Sequence, residues 1–183
     1  MTAASSSADD PRDLAEAAVA RLGAVRARLA AHAAGGAYAG LTGADPQTGE
    51  RWDAGQVWAH LAEFPTYWLE QFERLLSARA DGAHEPIPFG RTAADPTRIE
   101  AIERDRHDHP RALHERVDAG IGQAVVFLQA LPAEAWGVAG LHPRLGPMRL
   151  PAMVERFWVG HLEEHADQLD ELVPPASGGA ASG

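Results

Sequence analysis

Cysteine is absent from this 183-residue chain. Disulfides, thiolate metal sites and a cysteine nucleophile are therefore excluded, and any metal must be held by His, Asp or Glu. Lysine is absent too: all 16 basic residues are Arg, which removes Schiff-base and lysine-base chemistry. Serine is confined to the two ends apart from Ser77, and no GxSxG elbow occurs, which argues against a serine triad. No glycine-rich phosphate loop follows a strand-like segment. No apolar run approaches the roughly 18–20 residues that span a bilayer, so no membrane partner is expected. The 16 basic residues face 26 acidic ones, and the net charge of −10 repels a phosphate backbone. Nucleic acid is not an expected partner. Residues 1–10 lack the basic start and apolar stretch of a secretory leader, so the cytoplasm is the expected compartment.

What is present is helical periodicity. The length suits one domain with a sizeable core. Residues 1–10 and 174–183 are small and polar and read as disordered tails, leaving a domain over 11–173. The first helix runs from about Pro11 to Ala34 on the stripe Leu14, Ala18, Leu22, Val25 and Leu29, and Gly35-Gly36 stops it. The second starts at Asp53, a good N-cap, and runs to about Arg79 on Val57, Leu61, Phe64, Trp68, Phe72 and Leu75. Pro65 lies inside it and predicts a kink one turn after His60. The third covers about Thr97 to Leu131, and Pro110 either kinks it or marks the start of its main part. The fourth runs from about Leu150 to Val173, with Leu150, Val154, Phe157, His161, His165, Leu169 and Leu172 as its stripe. Long Gly- and Pro-rich loops separate these helices over 35–51, 81–96 and 131–148, and no alternating strand pattern appears. The expected class is all-α, a four-helix bundle with long loops.

The nine histidines are not equivalent. His161 and His165 lie four apart on an apolar stripe, so both rings share one face, one turn apart, where they can share a metal. As plain core residues, each would need its own buried hydrogen-bond partner. His60, beside Val57, Phe64 and Tyr67 on the second helix, is the candidate third ligand. It lies 7 residues past Asp53, and His165 lies 8 before Val173. Antiparallel helices would bring the two to similar heights; parallel helices give a looser match, and the arithmetic does not choose between them. His107, His109 and His114 lie among charges and read as a solvated surface. His32 and His84 read as exposed. His142 lies in the loop before the fourth helix, as a loop residue or at the mouth of the site.

Three segments together resemble the DinB-like family. Trp52-Asp53-Ala54-Gly55-Gln56-Val57-Trp58-Ala59-His60-Leu61 resembles the start of its second helix, which carries the first metal histidine. His142-Pro143-Arg144-Leu145-Gly146-Pro147-Met148-Arg149-Leu150 is similar to its loop before the last helix. His161-Leu162-Glu163-Glu164-His165, followed by Gln168, is similar to its HxxxH. The resemblance covers about residues 11–173. It implies a four-helix bundle of the DinB/YfiT type, often a homodimer, with His60, His161 and His165 around zinc, nickel or iron. Asp167 is similar to the acid in the HxxxHxE pattern of the related sulfoxide synthases, but residues 1–183 offer no segment expected to form the second catalytic domain of those enzymes, which counts against that activity.

Three neutral imidazoles leave a metal open to water or substrate, the catalytic style of site. Zinc or nickel suits them best, with iron or manganese as alternatives. The leading expectation is an S-transferase acting on a small-molecule substrate, in which the metal binds a low-molecular-weight thiol of the mycothiol or bacillithiol kind. The alternatives are a hydrolase using metal-bound hydroxide and a non-enzymatic metal- or ligand-binding protein. Glu63 and Glu164 are candidates to orient ring nitrogens or shuttle protons. Tyr67 and His142 are candidates to line a cofactor or substrate cleft, with Trp68 beside them.

Overall fold

The computed structural model describes residues 10–174 except 36 and 47. The expected tails, apart from Asp10 and Pro174, lie outside the described residues. Four long helices dominate, as expected. α1 (Pro11–Gly35) is followed by α2 (Ala54–Ala80), which runs uninterrupted through Pro65. Asp53 starts α2 with a capping box: its side chain accepts from the Gln56 amide, and the Gln56 side chain returns a bond to the Asp53 amide.

The expected third helix is two. α3 (Pro96–Asp105) is capped by Asp95, and α4 (Pro110–Ala130) is capped by His109, whose Nδ1 accepts from the Arg111 amide at 3.2 Å. Pro110 thus marks a helix start, where a missing N–H costs nothing. His109 remains exposed while capping. His114 is half-buried, with its ring 6.1 Å from Trp58, which departs from the expected solvated surface. His32 departs further. Its side chain is 8% exposed and its Nε2 lies 2.9 Å from Asp170.

A small sheet was not expected. β1 (Ile87–Pro88) pairs parallel to β2 (Ala139–His142), which pairs antiparallel to β3 (Gly146–Arg149). Strands of two to four residues, rich in Gly and Pro, are too short to show an alternation. Gly140 is required in β2, because a Cβ there would lie 2.6 Å from Phe89.

The last helix is built in three parts: α5 (Leu150–Val154), a π-helical turn (Glu155–Val159) and α6 (Gly160–Leu172). The Gly160 amide donates to the Glu155 carbonyl, five residues back. The fully buried side chains Met153 and Trp158 are likewise five apart, and Leu162, Ala166 and Leu169 continue that face. The inserted residue lets Phe157 and Trp158 both be buried on adjacent faces.

Contacts between helices set their directions. Trp58 meets His114, Pro65 meets Gly120 and Phe72 meets Phe127, so α2 and α4 run parallel. His60 meets His165, Phe64 meets His161 and Trp68 meets Phe157, so α2 and α6 run antiparallel. Arg21 reaches Glu155 and Glu163 while Arg28 reaches Asp167, so α1 runs parallel to the last helix. The order is up, down, down, up, and the linker carrying β1 and α3 returns the chain between the two parallel helices. No helix among the described residues is long and apolar enough to cross a membrane.

Surface ion pairs such as Arg21–Glu155 are worth about 1 kcal/mol or less each. Full burial of a large apolar side chain contributes about 1.5–3 kcal/mol. The fold therefore rests on its core of Trp58, Trp158, Phe72, Leu22, Leu61 and Ile121, all fully buried. At the α2–α4 crossing the Pro65 ring occupies the notch at Gly120, where a Cβ would lie 2.9 Å from Pro65 Cβ. Gly120→Val should force the helices apart and lower stability by about 1–3 kcal/mol. Chemical denaturation measures it, and an unchanged midpoint would contradict this reading of the crossing.

Candidate metal centre

The antiparallel seam between α2 and α6 brings His60, His161 and His165 together. His161 Nε2 lies 2.9 Å from His60 Nε2 and 2.9 Å from His165 Nε2. The three potential ligand atoms all fall within 4.8 Å of one another. The direction left open by the sequence is the antiparallel one.

Proton accounting makes this cluster unusual. His60 Nδ1–H donates to Glu63 Oε1 at 2.8 Å, and His165 Nδ1–H donates to Gln168 Oε1 at 2.7 Å. Both rings therefore present bare Nε2 lone pairs to His161. A single His161 N–H could satisfy only one of them. Burial holds all three rings neutral, reinforced by neighbouring imidazoles at His60 and His161: these two are pushed well below the usual imidazole range, and His165 down to about 4. Three neutral imidazoles converging through Nε2 match the donor set of a divalent cation.

The supports behind the ligands are well defined. Glu63, three residues after His60 on the same helix, is half-buried and ion-paired with Arg91. Burial pushes its carboxyl up, against the pull of Arg91. Arg91 packs 3.8 Å from the centre of the Tyr67 ring. Tyr67, expected to line the cleft, packs against Arg91 and is not among the residues that line it. Phe64 stacks on His161 with ring centroids 3.7 Å apart, and Trp52 lies parallel to His165 at 5.8 Å.

His142 is at the cleft, on β2. Its Nδ1 accepts from the Arg144 and Leu145 amides, and its Nε2–H donates to the Arg91 carbonyl at 3.0 Å. Both nitrogens are engaged, so the ring offers the cleft its face and edge and no ligand atom. Glu164 is exposed at the rim, 4.0 Å from Arg156, and the ring-orienting partners are Glu63 and Gln168 instead. Asp167 is exposed and pairs with Arg28 on α1, outside the cluster.

A cleft that opens to solvent lies over the histidines. Trp52, Phe64, Trp68 and Phe157 give it aromatic walls. Arg91, Arg98, Arg144 and Arg156 bring positive charge, and Asp45, Glu50 and Glu164 bring negative charge. Sequence reasoning passed over Arg91 and Arg98. They lie on the linker and on α3, where neither periodicity nor motif marks them.

Helix order and site define a four-helix bundle with a histidine-lined cleft. Two solved structures share the fold. YfiT from Bacillus subtilis, described as a probable metal-dependent hydrolase with an unusual four-helix bundle topology, superposes with a TM-score of 0.67 at 17% identity, over 93% of this chain and 89% of that one. An uncharacterised protein from Clostridium difficile 630 gives a TM-score of 0.58 at 8% identity, over 86% of this chain and 94% of that one. No protein-family model and no curated protein sequence matches the chain.

The depressed histidines imply a pH dependence. An unfolded imidazole titrates near 6.5, and His165 in the fold near 4. Between these values the unfolded chain binds more protons, so the metal-free protein should lose stability as pH falls from about 6.5 to about 4. Each buried histidine contributes a slope of roughly 1 kcal/mol per pH unit. Denaturation midpoints across this range should fall steeply, and His165→Leu should flatten the dependence. An equal slope in that variant would contradict the assignment.

Proposed function

We propose that this chain is a metal-dependent hydrolase whose divalent ion is held by His60, His161 and His165. One observation carries the reading: three neutral imidazoles converge with more lone pairs than protons, an arrangement that a cation relieves. The description of YfiT as a probable metal-dependent hydrolase supports the same reading. Zinc or nickel fits an all-imidazole set, with iron or manganese next. Such an ion lowers the pKa of water and polarises a carbonyl.

The remaining steps belong to the chain's own residues. Glu63 fixes the His60 tautomer and strengthens its donor nitrogen, and Arg91 holds Glu63 in place. Gln168 does the same for His165. Phe64 and Trp52 fix ring orientation and keep water from the sides of the cluster. Glu164, three residues beyond His161 and lining the cleft, takes the proton from the attacking water and returns it to the leaving group. The substrate is a small molecule, and the net charge of −10 argues against nucleic acid. The cytoplasm and a homodimer complete the proposal, the latter on the DinB-like resemblance alone.

Transfer to a low-molecular-weight thiol would use the same histidines, and one experiment separates the two chemistries. After incubation with zinc or nickel, elemental analysis should find about one ion per chain, and His161→Ala should lose it. The loaded protein should then cleave members of an amide and ester panel without added thiol. Turnover that appears only with thiol makes it a transferase. Failure to take up any metal sinks both.

A further inference from the structure

One cation beside the histidines, Arg98, makes no direct ion pair among the described residues. Arg91 is paired with Glu63, and Arg156 lies 4.0 Å from Glu164. Arg98 reaches the cleft from α3. Its Nη1 donates to the Ala93 carbonyl at 2.9 Å, and its Cζ lies 5.1 Å from the Trp52 ring centre. Among the described residues no carboxylate lies within ion-pair distance of it, and its Nε and Nη2 have no protein acceptor.

The side chain is half-buried, and desolvation lowers its pKa from the usual value. Its charge bears on His60, His161 and His165 alike. Glu50, Glu63 and Asp45 act on this charge from a distance without touching it, so a ligand anion in direct contact still gains from the partly desolvated cation. The unused Nε and Nη2 form the side-on fork that takes a carboxylate through two parallel hydrogen bonds. Asp45, Glu50 and Glu164 line the same cleft, so a phosphate dianion meets more repulsion there than a monoanion.

We propose that Arg98 binds the carboxylate of the substrate, a small carboxylic acid whose amide or ester bond is hydrolysed at the histidine centre. The hydrolytic half rests on the reading above. In that reaction water adds its oxygen to the acyl carbon, the C–N or C–O bond breaks, and the proton leaves with the amine or alcohol.

Hippurate (N-benzoylglycine), which carries a carboxylate and an amide, is the probe. Isothermal titration into the metal-free protein should show binding. Its uncharged methyl ester should bind at least tenfold more weakly, and inorganic phosphate should compete poorly. Arg98→Gln should weaken hippurate at least tenfold without affecting the ester, and Arg98→Lys should restore part of the loss. The Tm of Arg98→Gln should change little, because Arg98 makes no direct ion pair in the empty protein. No hippurate binding to the wild type, or equal binding by Arg98→Gln, overturns the proposal. So does a fall in Tm with affinity unchanged, which assigns Arg98 to the fold. Metal content is read separately. A chain that binds hippurate through Arg98 but takes up no metal loses the hydrolytic reading and keeps the carboxylate site. A chain that takes up metal but binds hippurate independently of Arg98 does the reverse.

Discussion

The aromatic seam between α2 and the last helix carries both the fold and the site. Trp68 stacks on Phe157 and Phe64 on His161, each with centroids 3.7 Å apart, and His60 meets His165 at the end of the row. Slipping one helix by a turn would break the stacked pairs and separate the histidines together. The positions of the three rings are therefore held by packing of the main core. The bundle's unusual strand-like additions follow from the same seam: β2 and β3 place His142 over Trp68 and Phe157, closing the cleft above them.

Much of this was legible beforehand. The apolar stripes of the first, second and fourth helices and the pairing of His161 with His165 follow from spacings of three and four residues, and the Asp53 cap from its residue type. The histidine triad was reachable because two of its members share one helix and the third sits at a matching height. Helix direction was not legible, because the depth arithmetic tolerated both senses. The three short strands lack the length for an alternation. His32 looked exposed because nothing in α1 announces Asp170, a residue 138 positions further along the chain. Tyr67 was placed by proximity in sequence to His60, but on a helix such proximity does not fix the face, and Tyr67 packs against Arg91.

The long crossover between the parallel helices does more than return the chain. Gly90, with φ of 77°, donates its amide to Gln71 Oε1 at 3.0 Å, and a Cβ there would meet His142 and Trp68. The next residue, Arg91, supports Glu63 through its side chain and His142 through its carbonyl. Two residues of the linker thus tie α2, the hairpin and the His60 tautomer into one hydrogen-bonded unit. Loss of the linker from its seat would disturb the centre without touching any of the three histidines.

The π-helical turn gives the last helix a freedom that a regular helix lacks. A chain one residue shorter between Val154 and Gly160 could close into an ordinary α-helix with the downstream histidines still in phase, keeping either the aromatic that fills the core or the one that walls the cleft. Chain length at this single turn is then a point where the site can be reshaped over evolutionary time while the body of the bundle is conserved.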